Sequence, residues 1–139
     1  MYTKYDSFDN ENKRLLYSLE ESSFPPYDIE KLQSDLVDKE YYRVSLAVAG
    51  VKKEDLQVYI QGTYLIVKAV ARKEVDRIFL HKGISSKGFE KIFQLSESMV
   101  VRHSFFRDGL LCVDVIRNLS RQNIKAIPII SESDLLKLE

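Results

Sequence analysis

The stretch from Met99 to Ile116 constrains the fold more than any other part of the sequence. Two runs rich in Val, Phe, Leu and Ile flank Asp108-Gly109, a pair that favours a type I′ turn because both central residues of that turn need a positive φ. The stretch therefore predicts a β-hairpin. In its second strand one face carries Leu111, Val113 and Val115, and the other carries Leu110, Cys112, Asp114 and Ile116. Both faces are mostly apolar, so we expect at least part of the hairpin to be covered on both sides, as in a sandwich.

Length and composition narrow the class of protein. A chain of 139 residues predicts one domain with tails. The 21 basic and 21 acidic residues cancel, whereas a general nucleic-acid binder would have a basic excess. Cys112 is the only cysteine, so a disulfide framework within the chain is excluded and a reducing compartment is indicated. With neither a signal-peptide pattern nor an apolar run of membrane-spanning length, we expect a soluble cytoplasmic protein without a nucleic-acid or membrane partner.

Six further segments have strand-like composition, and most of them alternate apolar and polar residues. They are Tyr27–Leu32, Tyr41–Val48, Leu56–Ile60, Tyr64–Ala71, Ile78–Leu80 and Phe89–Leu95. Turn residues, such as those at Gln61–Thr63, separate these segments, and successive segments follow one another at intervals of about ten residues. This rhythm predicts an all-β sandwich or barrel.

The two ends of the chain differ in character from this middle part. Phe24-Pro25-Pro26-Tyr27 marks a boundary because two prolines interrupt regular structure. Before it, Leu15, Leu16 and Leu19 are spaced like one face of a short helix, which is too short and uncapped to be stable alone. We interpret residues 1–24 as a mobile arm with sticky aromatic and apolar residues; the alternative is a disordered tail whose aromatics have no role. The predicted domain covers residues 25–118, and the tail covers residues 119–139.

The residue types of a catalytic or metal site are scarce. His81 and His103 are the only histidines, too few for a zinc site at ligand spacing. Cys112 lies in the middle of a predicted strand without a neighbouring base, which favours a small core or surface residue over a nucleophile. Glycine-rich nucleotide motifs are absent from the sequence. We therefore predict no catalytic, cofactor or metal site and look for function in the surfaces.

The triplet Ile127-Pro128-Ile129 is the most informative surface feature. Pro128 fixes its own φ and cannot donate to a sheet, so the triplet is held extended and both isoleucine side chains project from a polar tail. This arrangement predicts docking into a groove, on another copy of the chain or elsewhere. The alternative is that the two isoleucines fold back onto their own domain.

Five motifs together resemble the small heat-shock protein, or α-crystallin, family, most closely its bacterial inclusion-body-binding type. They occur in the family's order and are Phe24–Glu30, Val48–Val58, Gly83-Ile84 with Phe89–Leu95, Ser104–Leu111 and Ile127–Ile129. One departure is Lys91, where the family commonly has an arginine that pairs across the dimer interface. Lysine lacks the planar fork needed for a bidentate pair.

The resemblance implies an immunoglobulin-like β-sandwich that dimerises by strand swapping and then forms larger oligomers. The swapped strand would contain Val75, Ile78, Phe79 and Leu80 and would pair with an edge of the partner such as Tyr27–Leu32. Lys91 would lie at the dimer interface. The Ile127–Ile129 tail would dock into a groove of a neighbouring dimer. The walls of that groove would be Leu56, Val58, Ile60, Met99 and Val101.

The activity implied by the resemblance is ATP-independent holding of unfolding proteins under stress. Client contacts would come from the arm, through Phe8, Leu15, Leu16, Tyr17 and Phe24. The resemblance also allows co-assembly with a paralogue and implies hand-over of clients to ATP-driven chaperones. Two other classes fit the bare pattern: a β-sandwich adaptor that binds one defined protein or peptide, and a small β-barrel enzyme.

Overall fold

Eight β-strands form in the computed structural model, which describes residues 15–19, 24–73, 75–119 and 126–138. The strands are β1 (Leu16–Ser18), β2 (Tyr27–Leu32), β3 (Lys39–Ala47), β4 (Leu56–Gln61), β5 (Tyr64–Ala69), β6 (Phe89–Leu95), β7 (Met99–Arg107) and β8 (Leu110–Asn118). A 3₁₀ turn at Lys53–Asp55 precedes β4. A one-turn helix, α1 (Glu132–Leu135), follows the last strand and continues as a 3₁₀ turn at Leu136–Leu138.

The strands form two antiparallel four-stranded sheets, in the orders β1-β6-β5-β4 and β2-β3-β8-β7. Alternation places one face of each strand inward. The inward side chains include Leu46, Leu65, Val67, Phe93 and Val113, all fully buried in one core between the sheets. The rings of Tyr27 and Phe93 meet edge to face across the layers, with their centroids 5.2 Å apart. The predicted all-β sandwich is confirmed.

The predicted hairpin is β7 and β8, joined at Asp108 and Gly109 with φ values of 53° and 76°. Both values are positive, as a type I′ turn requires. Leu111, Val113 and Val115 fill the core from β8. The opposite face is also covered in its middle, since Cys112 and Asp114 are buried there. The expectation of cover on both sides therefore holds for the centre of β8.

Two segments of the single chain differ from the simplest interpretation of their sequence. Leu15, Leu16 and Leu19 do not form a helix face, because Leu16–Ser18 is the strand β1, paired with the end of β6. The sandwich therefore begins inside the segment predicted as a mobile arm. Ile78–Leu80 forms no strand within the single chain, although all three residues are described. A strand needs a partner ladder, and among the described residues this segment has none. Its pairing with the edge of a second chain stays a prediction.

The segment from residue 75 returns to β6 through a tight passage at Gly88. A Cβ added to Gly88 would lie 2.4 Å from the carbonyl oxygen of Ala69 and 2.8 Å from the amide nitrogen of Ala71. Both contacts are far closer than a carbon atom tolerates, so only glycine fits between the end of β5 and the start of β6. The contact at Gly88 therefore fixes where the exposed segment rejoins the sandwich.

Candidate assembly and client-binding surfaces

A groove runs along one side of the sandwich, where β4 ends one sheet and β7 ends the other. Its volume is about 320 Å³. Ile60 lines it from β4, and Met99 and Val101 line it from β7. These are three of the five predicted groove residues. The other two, Leu56 and Val58, lie on β4 as half-buried side chains packed against the core.

Three further residues that line this groove were not indicated by the sequence. Thr63, Leu95 and Val100 also line it. They lie on the β4–β5 turn, at the end of β6 and on β7. Only the pairing of β5 with β6 places Thr63 beside Leu95, whose amide donates a 2.9 Å hydrogen bond to the Thr63 carbonyl. These lining residues could be identified only from the register of β5 and β6.

The tail presents its two isoleucines to solvent. Ile127 is 84% exposed and Ile129 is 101% exposed. The backbone around Pro128 has neither helical nor strand pairing, and α1 begins just beyond it, where the Ser131 hydroxyl accepts a hydrogen bond from the Asp134 amide. In the described residues neither isoleucine packs onto the domain, and docking of the tail into a groove stays a prediction.

The segment predicted to swap is also exposed. Ile78 and Leu80 lie almost fully in solvent and Val75 is mostly exposed. Phe79 is the exception, because the guanidinium of Arg77 and the ammonium of Lys82 lie 4.7 and 4.8 Å from its ring centroid. The cations keep this ring partly covered while the other apolar side chains remain accessible.

The predicted client contacts fall into different environments. Leu16 is only 4% exposed and belongs to the core, so it cannot contact a client while β1 is paired. Leu15 is half-buried against the same core. Tyr17 is partly exposed, and Phe24 is partly exposed with an edge-to-face contact to Phe89. Phe8 lies outside the described residues.

Comparisons with known proteins agree with this architecture. The family model described as the Hsp20/alpha crystallin family matches residues 34–130. The chain belongs to the Hsp20/alpha crystallin family. It is similar to the small heat shock protein IbpB of Klebsiella pneumoniae strain 342, with 39% identity over 116 residues that cover 83% of this chain and 78% of the relative. It is also 39% identical over 112 residues to IbpB of Escherichia coli strain E24377A, covering 80% of this chain and 75% of the relative.

Solved structures give the same result. Small heat shock protein AgsA from Salmonella typhimurium matches with a TM-score of 0.57 and 25% identity, over 76% of this chain and 98% of that one. A small heat shock protein from Synechococcus phage S-ShM2 matches with a TM-score of 0.56 and 25% identity, over 76% and 99%. Membership of the Hsp20 family supports a chaperone role for this chain. Among the helices of the described residues, none is long and apolar enough to cross a membrane.

Lys91 occupies an unusual position for a lysine in this Hsp20 domain. Its side chain is fully buried on the core face of β6, and its ammonium lies 4.8 Å from the ring centroid of Tyr27 on β2. Lysine is rarely buried to this degree, because removing its charge from water is costly. A cation held against an aromatic face recovers part of that cost. Lys91 therefore lies between the two sheets, close to the strand β2 that the swap would use.

A charged cluster on the outer face of the second sheet was missed at the level of sequence. Arg43 on β3 donates two hydrogen bonds to the Asp114 carboxylate on β8, at 2.6 and 3.0 Å. His103 Nε2 lies 2.7 Å from Asp114 Oδ2, and Arg43 also covers the ring of Phe105 at 5.0 Å. An aspartate in the middle of an apolar strand was the available signal, but its partners depend on the register of three strands.

Hydrogen bonds set the charge state of two carboxyl groups in this sheet. Burial acts to raise the pKa of Asp114, but the hydrogen bonds from Arg43 and His103 outweigh it, so the pKa lies below its ordinary value of 3.8. Burial likewise acts to raise the pKa of Glu40. Its ion pairs with Lys31 at 2.6 Å and Arg117 at 2.8 Å hold that pKa below 4.5. Both carboxylates therefore join neighbouring strands of the β2-β3-β8-β7 sheet as anions.

Proposed function

We propose that this chain is an ATP-independent holdase, which binds unfolding proteins and suppresses their aggregation. One observation carries the proposal: the tail exposes Ile127 and Ile129 while an apolar groove lies open on the side of the same domain. A chain that exposes both an apolar tail and a groove able to receive such a tail is suited to reversible assembly with its own copies. The surfaces released when such an assembly opens are those that an unfolded protein can bind.

The apolar side chains of the tail have the same spacing as those along β4 at the side of the groove. In an extended chain Ile127 and Ile129 point to the same side, about 7 Å apart, since the rise is about 3.4 Å per residue. Val58 and Ile60 have the same spacing along β4. A tail from a neighbouring chain, laid between β4 and β7, would bury both isoleucines against Ile60, Met99 and Val101. Pro128 lowers the entropy lost on docking because its φ is already fixed.

The dimer is proposed to form by exchange of the segment that contains Val75, Ile78, Phe79 and Leu80. Its recipient is β2, which lies at the end of its sheet. β2 presents exposed Asp28 and Glu30 beside Lys31. The exchanged segment contains Arg77 beside Asp76 and is followed by Lys82, so a register that sets Arg77 or Lys82 against the carboxylates of β2 would bring opposite charges together. Opposite charges on adjacent strands favour the pairing. Such a pairing would cover an otherwise open strand edge, which proteins generally avoid leaving exposed. It would also bring the partner beside Lys91.

Preferential binding to unfolded clients is enough to suppress their aggregation, and no catalytic step is needed. Heat exposes apolar surface on a client, and a protein that binds only the unfolded form keeps it from self-association. Weak docking of the tail would let the oligomer open and expose the groove, Tyr17 and Phe24. Hand-over to ATP-driven chaperones and co-assembly with a paralogue extend this proposal and rest on the family relationship.

An aggregation assay tests the activity. A heat-labile model enzyme is warmed with and without this protein, in the absence of ATP, and its light scattering is followed; an inert globular protein at equal mass is the control. Suppression that grows with the amount added is expected. Failure to suppress scattering at any ratio would refute the holdase. A mass of one 16.2 kDa chain at all concentrations would instead favour an adaptor that binds one defined partner.

The swap has its own test, based on two equally exposed side chains. Ile78 is 95% exposed and Val37 is 96% exposed. Ile78→Asp places a charge in the proposed partner contact and is expected to yield single chains by light scattering. Val37→Asp lies outside the exchanged segment and is expected to leave the mass unchanged. Equal masses for the two variants would contradict the swap.

A further inference from the structure

We propose that β1 is a resident occupant of a client-binding site on the edge of β6, and that extended apolar segments of unfolded proteins take its place. The proposal rests on the holdase function and adds a site to it. When β1 leaves, two surfaces become available at once: the strand edge of β6 and the apolar side chains of β1 itself.

The attachment of β1 is slight. The strand has three residues, paired as Leu16 with Leu95, Tyr17 with Gln94 and Ser18 with Phe93. It lies at the end of its sheet, so its other edge adds no strand pairing. Backbone hydrogen bonds of 2.9 Å flank it, from the Ser96 amide to the Leu15 carbonyl and from the Leu19 amide to the Ile92 carbonyl. Short terminal strands of this kind open at lower free energy than the strands of the core.

The site that β1 occupies can accept many different sequences. Leu16 is the one fully buried side chain of the strand and packs in the core with Phe93 and Leu95. Tyr17 and Leu19 remain partly exposed. Recognition therefore consists of backbone hydrogen bonds and one apolar anchor, the usual features of strand addition. Any extended segment with a suitable apolar residue meets both requirements, which is what an unfolded client of arbitrary sequence provides.

Tethering keeps the site closed until it is needed. β1 is joined to β2 through a short link, so its effective concentration at the β6 edge is high and sparse unfolded segments do not displace it. Warming loosens a short edge strand and, at the same time, raises the concentration of unfolded clients. Both changes shift occupancy from β1 to client. The site would thus respond to the condition under which holding is required.

A reversible lock tests this directly. Tyr17 and Gln94 are directly paired, and neither belongs to the buried core. Directly paired residues of antiparallel strands have Cα atoms about 4.5–5.5 Å apart, which a disulfide can span. In Tyr17→Cys with Gln94→Cys, oxidation is expected to reduce the client held per subunit severalfold, and reduction to restore it. The matched control is Gln57→Cys with Lys68→Cys, a paired position on β4 and β5. Its oxidation is expected to change nothing.

The outcomes separate this site from the general function. If the oxidised lock holds as much client as its reduced form, the β1 site is refuted while the holdase stands. If the wild-type chain holds no client, the holdase itself fails. Light scattering of both locked variants checks that assembly size is preserved.

Cross-linking locates the client without relying on the lock. A photoactivatable group is attached before heating to Gln94→Cys or, as control, to Gln57→Cys; the native Cys112 is buried and does not compete for the label. During heating with a client, the yield at position 94 is expected to exceed that at position 57 severalfold. Equal yields would overturn the proposal even if the lock changed the size of the oligomer.

Discussion

The core of the sandwich and the two segments outside it use the same kinds of residue in opposite ways. Phe93 and Val113 are completely buried, whereas Leu80 and Ile129 are 102% and 101% exposed. Hydrophobicity does not separate the two groups. What separates them is a partner strand: β6 and β8 have neighbours on both sides, and the segments around Leu80 and Ile129 have no strand pairing among the residues that the structure describes.

The difference indicates which surfaces the fold leaves for other molecules. A strand with two neighbours satisfies its backbone and buries its side chains by folding alone. A segment outside the sheets leaves its apolar side chains available to another molecule, and in the single chain Arg77 and Lys82 cover only the ring of Phe79. If these two segments assemble as proposed above, substitutions in them should affect assembly with little effect on the stability of the domain.

The largest expected effect is from Phe93→Ala. The ring fills the centre of the core, and truncating a buried phenylalanine costs about 3–5 kcal/mol in free energy of unfolding. Urea denaturation measures the loss, with Ile129→Ala as the exposed counterpart expected to change little. A small effect at Phe93 would mean that the sandwich is not organised around the core described above.

Asp114→Asn should have the next largest effect. The substitution removes the anion that accepts two hydrogen bonds from Arg43 and leaves Arg43 and His103 facing a neutral amide. Hydrogen bonds to charged groups contribute about 1.5–3 kcal/mol, so we expect a loss of about 2 kcal/mol in free energy of unfolding. Asp134→Asn, on the exposed α1, is the matched control. Similar denaturation midpoints for both variants would show that the cluster does not stabilise the sheet.

Acid should weaken the domain through the same carboxylates, by a smaller amount. The pKa values of Asp114 and Glu40 are lower in the folded chain than their ordinary 3.8 and 4.5. The folded state therefore binds fewer protons than the unfolded state in this range, so their contribution is complete above about pH 4.5 and is lost as the pH falls through the folded-state values. Urea denaturation from pH 7 to pH 3 measures this slope. Asp114→Asn should flatten it, and an unchanged slope would contradict the assignment.

The sequence was sufficient for most strands because their patterns are local. Alternation predicted β2 and β6 with the observed bounds, and Asp108-Gly109 located the central hairpin. Three apolar residues at positions 15, 16 and 19 were not sufficient, since their spacing is compatible with a helix as well as with a strand. Pairing with Phe93, Gln94 and Leu95 decides the matter, and that pairing depends on the completed sheet.

The candidate surfaces were predictable where one segment carries the signal. Ile127-Pro128-Ile129 could be recognised by itself as an exposed extended motif. The groove was found only in part, because Thr63 and Leu95 are brought together by the register of β5 and β6. The Arg43–Asp114–His103 cluster joins the two strands of the hairpin to β3, which lies about 70 residues earlier in the sequence. A charged residue within an apolar strand indicates a buried partner, but it does not say which one.

The smallest effect on stability should come with a large effect on assembly. Ile127→Ala with Ile129→Ala removes two exposed side chains, and exposed substitutions usually change the free energy of unfolding by less than about 0.5 kcal/mol. If the tail docks between β4 and β7 of a neighbouring chain, light scattering should nevertheless show oligomers reduced to dimers. An unchanged particle mass would refute docking of the tail. A fall in the denaturation midpoint of the dissociated domain would show instead that the isoleucines stabilise their own chain, and the separation between folding residues and assembly residues would fail at this position.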